Sequence, residues 1–152
     1  TVARLLAEGL RTYYTAHSGI KTGPDARVRE LLETLHAAGA KVAVVSNKAD
    51  EAVGELCSFY FPGLVDAAVG ETAGRRPKPA PDAVELALER LHVDKTDAVY
   101  VGDSQVDLDT AKAAGLPCIA VTWGFRSRED LVKAGAETLA DSVEELSRLL
   151  QA

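Results

Sequence analysis

The sequence predicts an α/β protein built on a three-layer, Rossmann-like open parallel sheet. Three observations predict it: short apolar runs alternate with segments of helical spacing, most of these runs are almost entirely apolar, and polar residues follow the ends of several of them. Strands that alternate with helices pair in parallel through right-handed crossovers. Ligands of such sheets bind beyond the carboxyl ends of the strands, so a site is expected there.

The elements are predicted in chain order from their apolar spacing. Residues 1–17 have helical spacing at Val2, Leu5, Leu6 and Leu10, and a second helix follows Pro24 and stops near Gly39. Strands are predicted at 41–46, 64–70, 97–103 and 117–123, with a weaker one at 136–141. Helices are predicted at 49–58, 81–92 and 105–114, and an amphipathic helix closes the chain.

Composition narrows the class of protein. The 152 residues fit one domain, and 47% hydrophobic and 26% charged residues are ordinary for a globular protein. A net charge of -6 disfavours nucleic acid as a partner, and no apolar run approaches the roughly 20 residues of a membrane span. Cys57 and Cys118 have no CxxC spacing, so neither zinc nor a disulfide framework is expected, and a reduced, cytoplasmic setting is the simplest interpretation.

Two segments offer groups that suit an anion. Ser46 and Asn47 end a predicted strand with a hydroxyl, an amide and free backbone N–H groups, although both residue types are also favoured as plain helix N-caps. Lys78 lies between two prolines in a stiff loop that could present its charge to a phosphate, and Arg75 and Arg76 add positive potential nearby. The alternative for this loop is a solvated basic turn before a helix.

The segment YVGDSQVDLDT (100–110) follows an apolar strand with three aspartates. Asp103, at the strand end, suits Mg²⁺, which takes one or two protein carboxylates beside phosphate and water. Asp107 lies four residues on and shares its helical face. Asp109 is about 200° around the helix from Asp107 and is expected to face solvent. Capping is the alternative role for Asp103 and Ser104.

The segments VVSNK, RPKPAPD and VGDSQVD resemble, in order and spacing, the second to fourth motifs of the haloacid dehalogenase-like hydrolase superfamily, most closely its phosphoglycolate phosphatase branch. The resemblance covers essentially the whole chain. It implies that Ser46, Asn47 and Lys78 bind the phosphoryl group, that Lys78, Asp103 and Asp107 are catalytic, and that Asp103 ligates Mg²⁺. Asp107 would support the metal directly, through water, or by pairing with Lys78.

The superfamily's first motif, DxDGT at the end of a central strand, supplies the aspartyl nucleophile and is not found here. The DLDT at 107–110 is rejected because it follows GDSQV instead of an apolar strand, and a helix would turn its two carboxylates apart. We therefore expect residues 1–20 to be a remnant of a helical cap, residues 21–152 to be the α/β core, and the central strand to belong to a longer parent. The strands at 41–46 and 97–103 would then pair directly or accept a strand from another chain.

The function implied by this resemblance is a Mg²⁺-dependent phosphatase acting on a small phosphorylated metabolite through an aspartyl-phosphate, with the 152 residues alone inactive. The alternatives are a β-phosphoglucomutase-like or pyrophosphatase member of the superfamily, and a non-catalytic paralogue that binds phosphate or protein. A nucleotide-binding α/β module is disfavoured because neither GxGxxG nor GxxxxGK[ST] occurs.

Overall fold

A computed structural model of the chain describes residues 3–7, 26–123 and 126–151, with a six-stranded sheet flanked by helices. The strands are Ala3–Ala7 (β1), Lys41–Ala49 (β2), Ala67–Glu71 (β3), Ala98–Gly102 (β4), Cys118–Val121 (β5) and Thr138–Ala140 (β6). The helices are Ala26–Ala37 (α1), Asp50–Tyr60 (α2), Asp82–Leu91 (α3), Gln105–Ala114 (α4), Arg128–Lys133 (α5) and Val143–Gln151 (α6), with a short 3₁₀ helix at Lys95–Asp97.

The sheet has the order β3-β2-β1-β4-β5-β6, and every neighbouring pair is parallel. The predicted open parallel α/β sheet is therefore confirmed. The carboxyl ends of β1, β2 and β4 lie side by side, at the point where the chain connections change direction. Open α/β sheets bind their ligands at this place.

The sequence prediction for the first residues was wrong. A helix was predicted over residues 1–17, but Ala3–Ala7 form a strand between β2 and β4, with Leu5 opposite Ala43 on one side and Tyr100 on the other. The expectation that those two strands pair directly, or accept a strand from another chain, is also wrong, because β1 of this chain separates them and supplies both with hydrogen-bonding partners. The remainder of the predicted helix, and the proposed boundary between cap and core at residue 20, lie outside the described residues.

Two helical layers cover the sheet because side chains alternate along each strand. Ala43 and Val45 of β2 pack toward α3 and α4, in a cluster that also holds Tyr100. Val42 of β2 packs with α1 and α6, and Val44 packs with α2. This burial on both faces explains why the strands are almost entirely apolar, as the sequence indicated.

Helix α5 was not predicted from the sequence. It has six residues and is capped by Ser127, whose Oγ accepts a hydrogen bond from the Asp130 N–H at 3.2 Å. A helix this short spans less than two turns, so it shows too little periodicity to be recognised. Within the described ranges, none of the helices has the length and apolarity required to cross a membrane.

Candidate active site

The end of β2 departs from regular strand geometry. Val45 is opposite Val69 on β3, but Ala49 is opposite Glu71, so the residues between them leave the ladder. Such irregularities re-aim side chains and are common beside functional sites. Ser46 is buried here, and its Oγ accepts a hydrogen bond from the Lys48 N–H at 3.1 Å. The Ser46 hydroxyl proton can still be donated.

Asn47 holds the loop that carries Lys78. Its Oδ1 accepts from the Lys78 N–H at 2.8 Å, and its Nδ2 donates to the Lys78 carbonyl at 3.2 Å. These two bonds join residues 31 positions apart and fix the backbone of Lys78 to the end of β2. The Asn47 side chain is thus partly occupied in positioning Lys78. For a phosphate, Asn47 can still donate the second hydrogen of Nδ2, since the first is bonded to the Lys78 carbonyl.

Lys78 and Asp107 form a buried ion pair. Lys78 Nζ lies 2.9 Å from Asp107 Oδ1, and both side chains are 0% exposed. Burying two charges costs free energy, and good geometry with further hydrogen bonds is needed to repay it. The interpretation of the Lys78 loop as a solvated basic turn is therefore wrong. The partner of Lys78 is Asp107, the aspartate that the sequence placed on the same helical face as Asp103.

The Asp107 carboxylate accepts hydrogen bonds from several donors. Oδ1 accepts from Lys78 Nζ at 2.9 Å and from the Tyr100 hydroxyl at 2.8 Å. Oδ2 accepts from the Asp103 N–H at 3.0 Å and from Ser104 Oγ at 3.1 Å. An ionised carboxylate has about four lone-pair sites. The four observed hydrogen bonds therefore match the number of acceptor sites on the Asp107 carboxylate.

Ser104 caps helix α4. Its Oγ accepts from the Asp107 N–H at 3.3 Å and donates to Asp107 Oδ2 at 3.1 Å, so the cap and the carboxylate hold each other. The capping interpretation of Ser104 is confirmed, and the cap also orients the buried carboxylate. Asp103, just before it, is 1% exposed at the carboxyl end of β4.

Gly102 gives Asp107 the room that it needs. A Cβ at Gly102 would lie 2.6 Å from Asp107 Cγ and 2.7 Å from its Oδ2. We expect Gly102→Ala to displace the carboxylate and to lower the free energy of unfolding by about 1–3 kcal/mol, the usual cost of overpacking. Urea unfolding would measure it.

Gly54 is the matched control for Gly102. It lies in α2, where an added Cβ would meet nothing within 4 Å. Gly54→Ala is expected to stabilise the protein by about 0.5–1 kcal/mol, because glycine is a poor helix former. Equal changes at the two glycines would contradict the close approach of Asp107 to β4.

Both arginines beside Lys78 are paired with carboxylates in the first turns of helices α2 and α3. Arg75 Nη1 donates to the Gly70 carbonyl and lies 3.6 Å from Asp50 Oδ1, which also accepts from the Gly70 N–H at 2.8 Å. Arg76 donates to Asp82 at 2.8 Å, and this hydrogen bond holds the pKa of that carboxyl below its ordinary value. Lys78 is paired as well, with Asp107, so all three cations of this loop have carboxylate partners.

The remaining candidates lie away from the strand edge or are inert. Asp109 is exposed and accepts from Gln105 Nε2 at 3.0 Å, as the helical spacing predicted. Burial raises the pKa of the Cys57 thiol to about 11, and burial with the nearby charge of Asp107 raises that of Cys118 to about 12. Both thiols are protonated near neutral pH, and neither serves as a thiolate nucleophile.

Two residues of this site were missed from the sequence. Tyr100 was counted only as part of a strand, and Asp50 was not singled out. The available signal for Tyr100 was a hydroxyl in a strand covered on both faces, since a buried hydroxyl needs a hydrogen-bonding partner. Asp50 gave no comparable signal, because an acidic residue in the first helical turn is ordinary.

The parallel sheet and the buried polar residues at the ends of β2 and β4 define an open α/β protein with a candidate site at the carboxyl edge of its strands. The sequence match then identifies the family: residues 2–121 match the profile of the haloacid dehalogenase-like hydrolases, and the chain belongs to that family. The family resemblance drawn from the three motifs is thereby confirmed.

Individual relatives support the same branch. The chain is 37% identical over 139 residues to phosphoglycolate phosphatase from Xylella fastidiosa (strain 9a5c), covering 89% of the chain and 60% of the relative. It is 32% identical to phosphoglycolate phosphatase from Aquifex aeolicus, covering 78% and 56% respectively. A crystal structure of a protein assigned to the phosphoglycolate phosphatases, from Lactobacillus delbrueckii subsp. bulgaricus, is 44% identical with a TM-score of 0.84, covering 92% of this chain and 59% of that one. The chain thus spans about 60% of the length of these relatives.

Proposed function

We propose that the complete protein is a phosphatase that hydrolyses a small phosphorylated metabolite, with phosphoglycolate as the first candidate. The observation that carries this proposal is the buried Lys78–Asp107 pair, held beside Ser46 and Asn47 at the edge where parallel sheets bind ligands. The relatives named phosphoglycolate phosphatase support the choice of substrate.

The residues of this chain would act by positioning and by charge. The Ser46 hydroxyl donates a hydrogen bond to a phosphoryl oxygen, and Lys78 neutralises negative charge that spreads over these oxygens. Asp107 keeps the Lys78 ammonium in place at 2.9 Å. The aspartyl nucleophile that the family resemblance implies is assigned to residues outside these 152, and we propose that residues 1–152 alone are inactive.

Mg²⁺ is the cofactor that we propose for this site. Asp103 offers a buried carboxylate at the strand end, and Mg²⁺ prefers oxygen ligands while keeping several waters and substrate oxygens. Among the described side chains no three His, Cys, Asp or Glu residues are grouped to hold a metal, and a Mg²⁺ site of this kind does not require such a group. Asp103 would hold the ion, Asp107 would act through Lys78 instead of as a direct ligand, and the bound ion would neutralise phosphoryl charge.

Phosphate release by the complete gene product tests this function. With Mg²⁺ we expect release from phosphoglycolate and, more slowly, from p-nitrophenyl phosphate, and we expect chelation with EDTA to abolish it. Faster release from pyrophosphate, or isomerisation of a sugar phosphate, would move the protein to another branch of the family. No turnover on any phosphate ester would reject the phosphatase assignment, and turnover by residues 1–152 alone would reject an external nucleophile.

A further inference from the structure

We propose that the Tyr100 hydroxyl is a positioning group of this site: it holds Asp107 so that the Lys78 ammonium keeps a single orientation toward the phosphate. This inference rests on the proposed function for its catalytic consequence. Its structural part, a Tyr100–Asp107–Lys78 chain of hydrogen bonds, can be tested without catalysis.

Tyr100 is placed by tertiary packing at the centre of the sheet. It is 0% exposed on β4, and its ring packs in the apolar cluster between the sheet and helices α3 and α4. Phenylalanine would fill the same apolar space without placing a hydroxyl in the core. A buried hydroxyl costs free energy unless it is hydrogen-bonded, and the Tyr100 hydroxyl donates to Asp107 Oδ1 at 2.8 Å.

The two oxygens of Asp107 are held by different parts of the structure. Oδ2 is bonded at the start of α4, by the Asp103 N–H and the Ser104 hydroxyl, both within four residues of Asp107. Oδ1 is bonded by the Tyr100 hydroxyl, seven positions earlier on β4, and by Lys78, which is 29 positions away in the sequence. The Oδ2 contacts fix the start of the helix, and the Oδ1 contacts determine how Asp107 meets the lysine.

Tyr100 is better suited than Lys78 to set the position of Oδ1. A tyrosine side chain has two rotatable bonds and its ring is packed on a central strand, whereas a lysine ammonium stands on a flexible four-carbon stem. The rigid Tyr100 hydroxyl therefore fixes the position of Asp107 Oδ1, and the Lys78 ammonium takes the orientation that this oxygen imposes. Without the hydroxyl, Oδ1 loses one of its two described donors and the ion pair gains freedom to rotate.

Tyr100→Phe in the complete gene product tests the catalytic consequence. We expect kcat to fall roughly ten- to thirtyfold with KM changed less than about twofold, because a hydrogen bond to a buried charged group is lost and the charge of Lys78 remains. Tyr60→Phe is the matched control: Tyr60 is half-buried on α2, in edge contact with Phe59, outside the site. Its kcat is expected to stay within about twofold of the wild type.

The side-chain ammonium of Lys78 gives a readout that does not depend on turnover. In ¹H–¹⁵N spectra we expect a slowly exchanging Lys78 ammonium signal in the wild type and exchange at least roughly fivefold faster in Tyr100→Phe, since a weaker ion pair opens more often. Unchanged ammonium exchange would overturn the positioning role, whatever happens to kcat. If the wild type lacks turnover, the phosphatase proposal fails while this signal still decides the role of Tyr100.

If Tyr100→Phe does not fold, a measurement on the wild-type protein decides whether the Tyr100–Asp107 hydrogen bond exists. A hydroxyl held at 2.8 Å by a buried carboxylate is expected to give a protected proton signal with a cross-peak to the Asp107 β protons. Its observation would support the chain of hydrogen bonds. A freely exchanging Tyr100 hydroxyl would overturn it.

Discussion

Replacing Lys78 with methionine is expected to lower the free energy of unfolding by about 3–5 kcal/mol, because Asp107 would be left as a buried charge without its cation. Both side chains of the pair are 0% exposed, so water cannot replace the lost ammonium. The same change is expected to remove phosphate turnover in the complete gene product, since the proposed function assigns the neutralisation of phosphoryl charge to Lys78. Urea unfolding and a phosphate-release assay measure the two effects.

Lys133→Met is the matched control for this substitution. Lys133 lies 3.2 Å from Glu129 on α5, but the two side chains are 72% and 78% exposed. Exposed pairs contribute little, so we expect a change below about 0.5 kcal/mol. Equal losses of stability in the two variants would show that Lys78 and Asp107 are not buried together.

The double variant Lys78→Met with Asp107→Leu separates stability from catalysis. Replacing both members of a buried ion pair by apolar residues is often neutral or stabilising. Asp107→Leu also takes an acceptor from the Tyr100 hydroxyl, the Asp103 N–H and the Ser104 hydroxyl, so we expect the double variant to recover only part of the stability that Lys78→Met loses, while phosphate turnover stays absent. Recovered turnover would contradict the role of Lys78 in neutralising phosphoryl charge.

Replacing Asp103 with asparagine is expected to reduce kcat by roughly a hundredfold or more, because a metal ion on a phosphoryl oxygen is worth several kcal/mol of charge stabilisation. The variant keeps the shape of the side chain and the backbone N–H that donates to Asp107 Oδ2, so the fold should be retained. Kinetic titration with Mg²⁺ is the measurement, and we expect its saturation to shift far to higher concentration. Unchanged turnover would reject Asp103 as the metal ligand.

Asp109→Asn is the control for Asp103→Asn, since it makes the same chemical change six residues further along the chain. Asp109 is exposed and bonded to Gln105 on the outer side of α4. Its kcat and Mg²⁺ dependence are expected to stay within about twofold of the wild type, as is usual for surface substitutions away from a site. A large loss would show that Asp109 reaches the site.

Most strands could be predicted from the sequence because their signal is local. KVAVVS and DAVYVG are apolar apart from Lys41, Ser46 and Asp97, and their burial between two helical layers confirms the reason. Ala3–Ala7 could not be predicted in the same way, since a short apolar run in a strand cannot be told from a helical segment by periodicity alone. The parallel ladders on both sides of β1 decide its conformation, and these ladders join residues about 40 and 95 positions apart.

In the candidate site, too, some features could be predicted from neighbouring residues and others depend on tertiary contacts. The sequence by itself determined which residues stand at the strand ends, Ser46, Asn47 and Asp103, and that Asp107 faces the site while Asp109 does not, because strand ends and helical faces are properties of neighbouring residues. Only the tertiary structure decided that the Asn47 side chain hydrogen-bonds the Lys78 backbone and that Asp107 accepts from both Lys78 and Tyr100. It also decided that Arg75 and Arg76 are paired with carboxylates. The Asn47–Lys78 and Lys78–Asp107 contacts join residues 31 and 29 positions apart that the crossovers of the sheet bring together, and no local pattern encodes which buried donor will meet which buried acceptor.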